Sequence, residues 1–337
     1  MKGEFLVERG RKLRIGFPRA LFYYSYFPFW QGFFNRLGME VVVSPPTTKG
    51  ILDDGTREAE AEACIPVKLY HGHVLALKDK VDLLFIPRLV RIDRRSTFCP
   101  KFLGLPDMVR ASLPDLPPIL DLKVDERTSP GEWWPTCRAI GELLGIDSFL
   151  RLWSAYREGK QHQKAYEKLL YKGYLPEEAL AALRGEEVEV PPRIKENLNL
   201  AVLGYPYQVY DGYISWDIIG KLRKMPINLW TMEMVPPSKL YRFCKHLPKQ
   251  PFWHYSVLVL GAAYYYQQQG VDGVIHVAAF ACGPDAMVNK IMEIDLSQGS
   301  NPTPFMSLSV DEQTGDAGVA TRLEAFVDML LQRRRKG

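Results

Sequence analysis

Short apolar runs alternate with longer stretches of helical length along the whole chain. Residues 13–17, 39–44, 81–87 and 118–122 are compact runs of β-branched or other apolar side chains. The run 81–87 is continuous enough to lie buried on both faces of a parallel sheet. Between these runs fall an aromatic segment at 22–37, a helical stretch at 58–78 broken near Cys64-Ile65-Pro66, and a helix through Cys137 to Leu144. Residues 149–183 read as helix, with Pro176 opening a second one, and 185–192 combine charge, glycine and two prolines as linkers do. The alternation then restarts, with strands at 198–203, 227–232, 274–279 and 305–310 and helices at 214–224, 252–269, 286–294 and 319–334.

This βαβα order predicts an α/β protein of two Rossmann-like or flavodoxin-like parallel-sheet domains joined by a helical segment. The expected boundaries are an N-terminal α/β domain at 1–148, a helical segment and linker at 149–192, and a C-terminal α/β domain at 193–337. In such sheets ligands collect beyond the carboxyl ends of the strands, so the expected site lies in a cleft between the domains.

Composition narrows the function classes. Apolar residues make up 47% and charged residues 24%, as in ordinary globular proteins. With 43 basic and 39 acidic residues the formal charge is +4, which gives no case for nucleic acid as partner. No run is long and apolar enough to span a bilayer, and residues 1–14 carry charge instead of a signal-type apolar core. A cytoplasmic protein is expected, and there cysteines bind metal or act catalytically more often than they pair as disulfides.

Three of the five cysteines stand just before a proline, in Cys64-Ile65-Pro66, Cys99-Pro100 and Cys282-Gly283-Pro284. Proline favours the first position of a helix, so each thiol is expected at a helix N-terminus, where the dipole favours an anion. Cys137 and Cys244 lack this setting. Three readings stay open on the residues alone: an iron–sulfur cluster on the three thiolates, three buried apolar thiols, or a structural zinc completed by His71 or His73. His71 and His73 are also candidate proton donors, against a plainer reading as surface or capping histidines. Arg88, Arg91, Arg94 and Arg95 precede Cys99 and could balance charge, hold an anion or dock a partner; a solvated loop explains them equally well. The aromatic segment reads as core packing, and Gly204-Tyr205-Pro206-Tyr207 is not a dinucleotide fingerprint.

Motifs spread over nearly the whole chain carry a family resemblance. Ile15-Gly16-Phe17-Pro18-Arg19-Ala20-Leu21, Glu62-Ala63-Cys64-Ile65-Pro66-Val67-Lys68 and Phe98-Cys99-Pro100-Lys101 are among them. Gly204-Tyr205-Pro206-Tyr207, Tyr210-Asp211, Phe280-Ala281-Cys282-Gly283-Pro284-Asp285 and Asp311-Glu312-Gln313-Thr314-Gly315 continue the series. Together they resemble the activase-related branch of the 2-hydroxyacyl-CoA dehydratase family. The resemblance implies a [4Fe-4S] cluster on Cys64, Cys99 and Cys282 with one iron open, or a larger double cluster if subunits share it. It also implies an ATP-dependent iron–sulfur activase that delivers one low-potential electron for passage to a substrate at the cluster. No activase-type phosphate-binding motif is visible, so the activase would act in trans. Pairing as a homodimer or with a related subunit is implied as well. The alternative reading is a non-catalytic cluster carrier or scaffold subunit.

Overall fold

The computed structural model describes residues 11–93, 95–127, 133–247, 249, 251–298, 302–311 and 315–336. Arg94, Glu312, Gln313 and Thr314, singled out above, lie outside the described residues. The chain divides into two units, one formed by the segment up to Ala63 with Val67–Lys168, the other by Cys64–Pro66 with Leu169–Gly337.

The first unit runs β1 (Arg14–Phe17), α1 (Tyr23–Arg36), β2 (Glu40–Val43), α2 (Lys49–Glu58), α3 (Ile65–Leu75), β3 (Leu83–Phe85), β4 (Arg88–Arg91), α4 (Pro100–Ser112), β5 (Ile119–Leu120), β6 (Lys123–Asp125) and α5 (Trp134–Leu143). Helix α6 (Phe149–Tyr171) carries the boundary between the units. The sheet order is β2-β1-β3-β5, and every neighbouring pair is parallel. Phe17, on β1, packs against Phe22 and Phe27 at 5.3 and 5.0 Å between ring centroids, while Phe85 of β3 meets Trp30 at 4.6 Å. The aromatic segment is therefore core, as its composition predicts.

The second unit runs α7 (Pro176–Leu183), β7 (Leu198–Gly204), α8 (Pro206–Val209), α9 (Ile218–Arg223), β8 (Ile227–Thr231), α10 (Pro237–Phe243), α11 (His254–Gln268), β9 (Gly273–Ala279), α12 (Gly283–Ser297), β10 (Phe305–Val310) and α13 (Asp316–Lys336). Its sheet order is β8-β7-β9-β10, again all parallel. Read in chain order, both sheets have the arrangement second, first, third, fourth, as in the flavodoxin-like folds. Here the core is aliphatic: Leu200 and Val202 of β7, Ile275 and Val277 of β9 and Leu308 and Val310 of β10 form one cluster with Val319, Leu323 and Val327 of α13.

Three features escape the hydrophobic pattern. Strands β4 and β6 pair as a separate two-stranded ladder; both are short and carry charge, so neither makes an apolar run. Helix α2 starts nine residues before the helix expected at 58, because Thr48 caps it by accepting a hydrogen bond from Ile51 N at 3.3 Å. Helix α10 begins at the Pro236-Pro237 pair, which marks an N-terminus more than a loop.

Helices α2 and α3 cross at two glycines. A methyl group on Gly72 would fall on the Ile51 carbonyl, and one on Gly55 would fall on the Lys68 carbonyl. Helices α10 and α11 repeat the arrangement, with Gly261 against the Leu240 carbonyl. Where the first pair has Gly55 facing Lys68, the second has Cys244, whose thiol donates to the Val257 carbonyl at 3.3 Å. Cys244 is thus a helix-crossing residue.

Candidate functional site

Each of the three proline-flanked cysteines stands at the N-terminal end of a helix. Cys99 is the N-cap of the 13-residue α4 with Pro100 in its first turn, and Cys282 is the N-cap of the 15-residue α12 with Pro284 in its first turn. Cys64 immediately precedes the 11-residue α3 and is 9% exposed. All three are reduced cysteines outside any disulfide, and Cys99 and Cys282 are half-buried. At such positions unpaired backbone N–H groups and the dipole favour a negatively charged sulfur.

The other two cysteines differ in kind. Cys137 lies inside α5 with no exposure, and burial pushes its thiol well above the ordinary value. Cys244 caps the C-terminal end of α10, where the dipole opposes an anion, and burial pushes its thiol up to about 12. Both are protonated packing residues at neutral pH.

Among the described residues, no three His, Cys, Asp or Glu side chains lie close enough together to hold a single metal ion. The zinc alternative fails on this ground and on the histidines. A cubane cluster has a different requirement, since each thiolate binds its own iron and the sulfurs stand further apart than the ligands of one ion. Each of the three cysteines, at a helix N-terminus, suits thiolate ligation of an anionic cluster by donor chemistry and by local charge.

Neither histidine is a surface or capping residue. His73 is fully buried; its Nδ1 pairs with Ser44 Oγ at 2.9 Å and its Nε2 with Thr47 Oγ1 at 3.0 Å. Burial, helped by the charge of Arg19, lowers its pKa to about 3, so near neutrality it is a neutral imidazole and not an imidazolium acid. His71 is buried as well, with Nδ1 paired to the Val67 carbonyl at 2.9 Å. Burial lowers its pKa, while the carbonyls of Val67 and Met108 work the other way. Its Nε2 has no well-aligned hydrogen-bond partner.

The arginines before Cys99 are engaged in structure. Arg88 bridges Asp107 and Asp121, the latter at 2.7 Å, and Arg91 pairs with buried Asp125 at 3.3 Å. These pairs tie the β3–α4 and β5–β6 connections together. The backbone N–H of Arg95 donates to Asp93 Oδ1 at 2.7 Å in a turn that leads toward Cys99.

Residues that sequence reasoning left without a role surround Cys282. The second unit holds a tyrosine cluster, with the Tyr205 and Tyr207 rings 5.6 and 5.7 Å from that of Tyr255. The Tyr207 hydroxyl is pushed well above its ordinary value, first by burial and then by Cys282, Tyr205, Cys64 and Tyr255. Tyr207 is therefore a neutral donor within electrostatic reach of both Cys64 and Cys282. Behind the Cys282 turn, His276 of β9 and Asp285 of α12 are fully buried, with Nε2 and Oδ1 3.0 Å apart but misaligned for a hydrogen bond. Asp285 Oδ2 accepts from Ala279 N at 2.9 Å, and His276 Nδ1 pairs with Asn289 Oδ1 at 2.9 Å. Between them Ala281 takes φ +61°, a left-handed conformation uncommon for a residue with a Cβ. The motifs quoted above contain Tyr205, Tyr207 and Asp285, but His276 lies in an apolar strand and gives no signal.

A family model described as a CoA enzyme activase uncharacterised domain matches residues 14–235, more than half of the chain. That span contains Cys64 and Cys99 and ends before Cys282. No curated protein matches the sequence. Among the described residues, no helix is long and apolar enough to cross a membrane.

Proposed function

The chain belongs to the CoA enzyme activase uncharacterised domain family, and from that membership we propose that it is the iron–sulfur component of an acyl-CoA dehydratase-type system. Membership links the chain to acyl-CoA dehydratases and their activases, and an activase partner is compatible with it. In this reading Cys64, Cys99 and Cys282 supply three thiolates to one [4Fe-4S] cluster. An ATP-dependent activase in trans provides the electron, and a substrate binds at the open iron. When bound, a cluster of this kind supplies one-electron chemistry at low potential.

The observation that carries the proposal is the division of the five cysteines. Three sit at helix N-termini, where charge is favoured, while two are buried and held protonated. The chain's own residues then have defined tasks. The N-terminal turns of α3, α4 and α12 offset the negative charge of the sulfurs. Tyr207, held neutral by burial, offers a hydrogen bond without adding charge near Cys64 and Cys282. His71, whose Nε2 has no well-aligned partner, is the histidine assigned to proton handling. Phe280 and Met287, 63% and 57% exposed on either side of Cys282, give a partner apolar surface to dock on.

The test is anaerobic purification with iron and sulfide analysis, followed by electron paramagnetic resonance of the reduced protein. Bound iron and sulfide in equal amounts with a reduced-cluster signal supports the reading. A chain that binds no iron even after reconstitution contradicts it.

A further inference from the structure

A cavity of about 340 Å³ opens in the first unit, and no cysteine lines it. Its apolar wall is aromatic. Tyr26 and Phe29 come from one face of α1, Trp133 from the entry to α5, and Tyr156 from α6. Trp133 stands at the centre of this wall, 5.2 Å from Tyr26 and 4.8 Å from Phe29 between ring centroids, and Phe29 lies 6.0 Å from Tyr156.

The polar lining comes from one stripe of α6. Lys160, Gln163, Lys164 and Glu167 follow Tyr156 at intervals of three and four residues, so they share its face. Lys160 Nζ stands 5.7 Å from the centroid of the Tyr156 ring. Gln163 is fixed by donating from Nε2 to the Ser25 carbonyl and to Glu167 Oε1, both at 3.0 Å. That commitment leaves Gln163 Oε1 as an acceptor, and it is buried without a partner.

We propose that this cavity is a binding site for a nucleoside phosphate, with the base against the aromatic wall and the phosphate on Lys160 and Lys164. Three features select that class. Aromatic side chains stack any planar base. Two lysines on one edge supply charge for a phosphate. The Glu167 carboxylate in the same lining accepts from a ligand that carries N–H donors; an exocyclic base amine has them and an aromatic acid without N–H groups does not. The volume falls in the range of small-molecule sites. No cysteine contributes to the lining, so the inference stands apart from the cluster assignment.

Titrating the chain with adenosine 5′-monophosphate, adenosine, inorganic phosphate and naphthalene-1-acetate, by calorimetry and tryptophan fluorescence, tests it. The monophosphate should bind saturably and quench fluorescence, with adenosine weaker by about tenfold and phosphate weaker still. Replacing both lysines (Lys160→Met with Lys164→Met) should bring the monophosphate down to the affinity of adenosine and leave adenosine unchanged. Trp133→Phe should remove most of the quenching while the heat of binding persists. The proposal falls if the monophosphate shows no saturable binding at millimolar concentration, if the double lysine variant binds it as wild type does, or if naphthalene-1-acetate, which has no N–H, binds as tightly.

Discussion

In the first unit Cys99 follows the third strand of the sheet and its short extension, and caps α4; in the second, Cys282 follows the third strand and caps α12. The two thiols thus occupy the same place in the same strand order, beyond a strand's carboxyl end at the start of a helix. What differs is how the turn is held. Around Cys99 the anchors are partly exposed ion pairs, with the Arg88 side chain 22% exposed between Asp107 and Asp121. Around Cys282 the anchor is the fully buried His276–Asp285 pair, next to an alanine at positive φ. Half-exposed pairs contribute little each, whereas a buried polar group that loses its partner costs much more. The second turn is therefore the less tolerant of the two. Cys64 breaks the correspondence, since the matching residue before α11 is Trp253.

The largest effect should come from this buried anchor. Asp285→Ala leaves the Ala279 N–H without its acceptor and takes the carboxylate away from buried His276 Nε2, and should cost about 2–4 kcal/mol in urea denaturation. Asp107→Ala at the first turn should cost less than about 1 kcal/mol. Equal costs would remove the distinction between the two turns.

The helix crossings come next and test the likeness of the units. Gly72→Ala and Gly261→Ala each drive a methyl group into a facing carbonyl, and each should cost about 1–3 kcal/mol. A silent Gly261→Ala would mean that α10 and α11 do not cross as α2 and α3 do.

The last effects accumulate with pH and have opposite sign in the two units. His73 has a folded pKa near 3 against 6.5 unfolded, so below pH 6.5 the unfolded chain binds the extra proton. Its unit should lose stability as pH falls toward 3, with a slope approaching about 1.4 kcal/mol per pH unit that His73→Gln removes. Glu233, in the second unit, has its carboxyl raised to about 7 by burial, chiefly, with the Tyr210 hydroxyl opposing. There the folded state keeps a proton that the unfolded state loses above 4.5. Stability of that unit should decline as pH rises from 4.5 to 7, and Glu233→Gln should abolish the decline. Denaturation curves from pH 4 to 8, recorded for both variants, check the two signs.

Much of this was legible in the chain. The apolar runs mark β1, β2, β3 and β7 to β10, and the prolines after Cys99 and Cys282 mark the starts of α4 and α12, because these signals are local. The β4–β6 ladder was not legible, since its residues are charged and its pairing joins positions far apart in sequence. Nor was the engagement of Arg88 and His73, whose partners Asp121, Ser44 and Thr47 are brought to them only by the sheet. The role of Cys244 needed the helix crossing itself, where it takes the place in the second unit that Gly55 has in the first and its thiol meets the Val257 carbonyl.

The central claim is that position at a helix N-terminus, and not burial or sequence neighbourhood, separates ligand cysteines from bystanders. Iron content and the reduced-cluster resonance, compared across Cys64→Ser, Cys99→Ser, Cys282→Ser, Cys137→Ser and Cys244→Ser after anaerobic reconstitution, test it directly. The account predicts loss of the native signal in the first three, with circular dichroism of each cluster-free variant close to cluster-free wild type, and retention in the last two. Full iron content in Cys282→Ser, or its loss in Cys137→Ser with the fold intact, would contradict it.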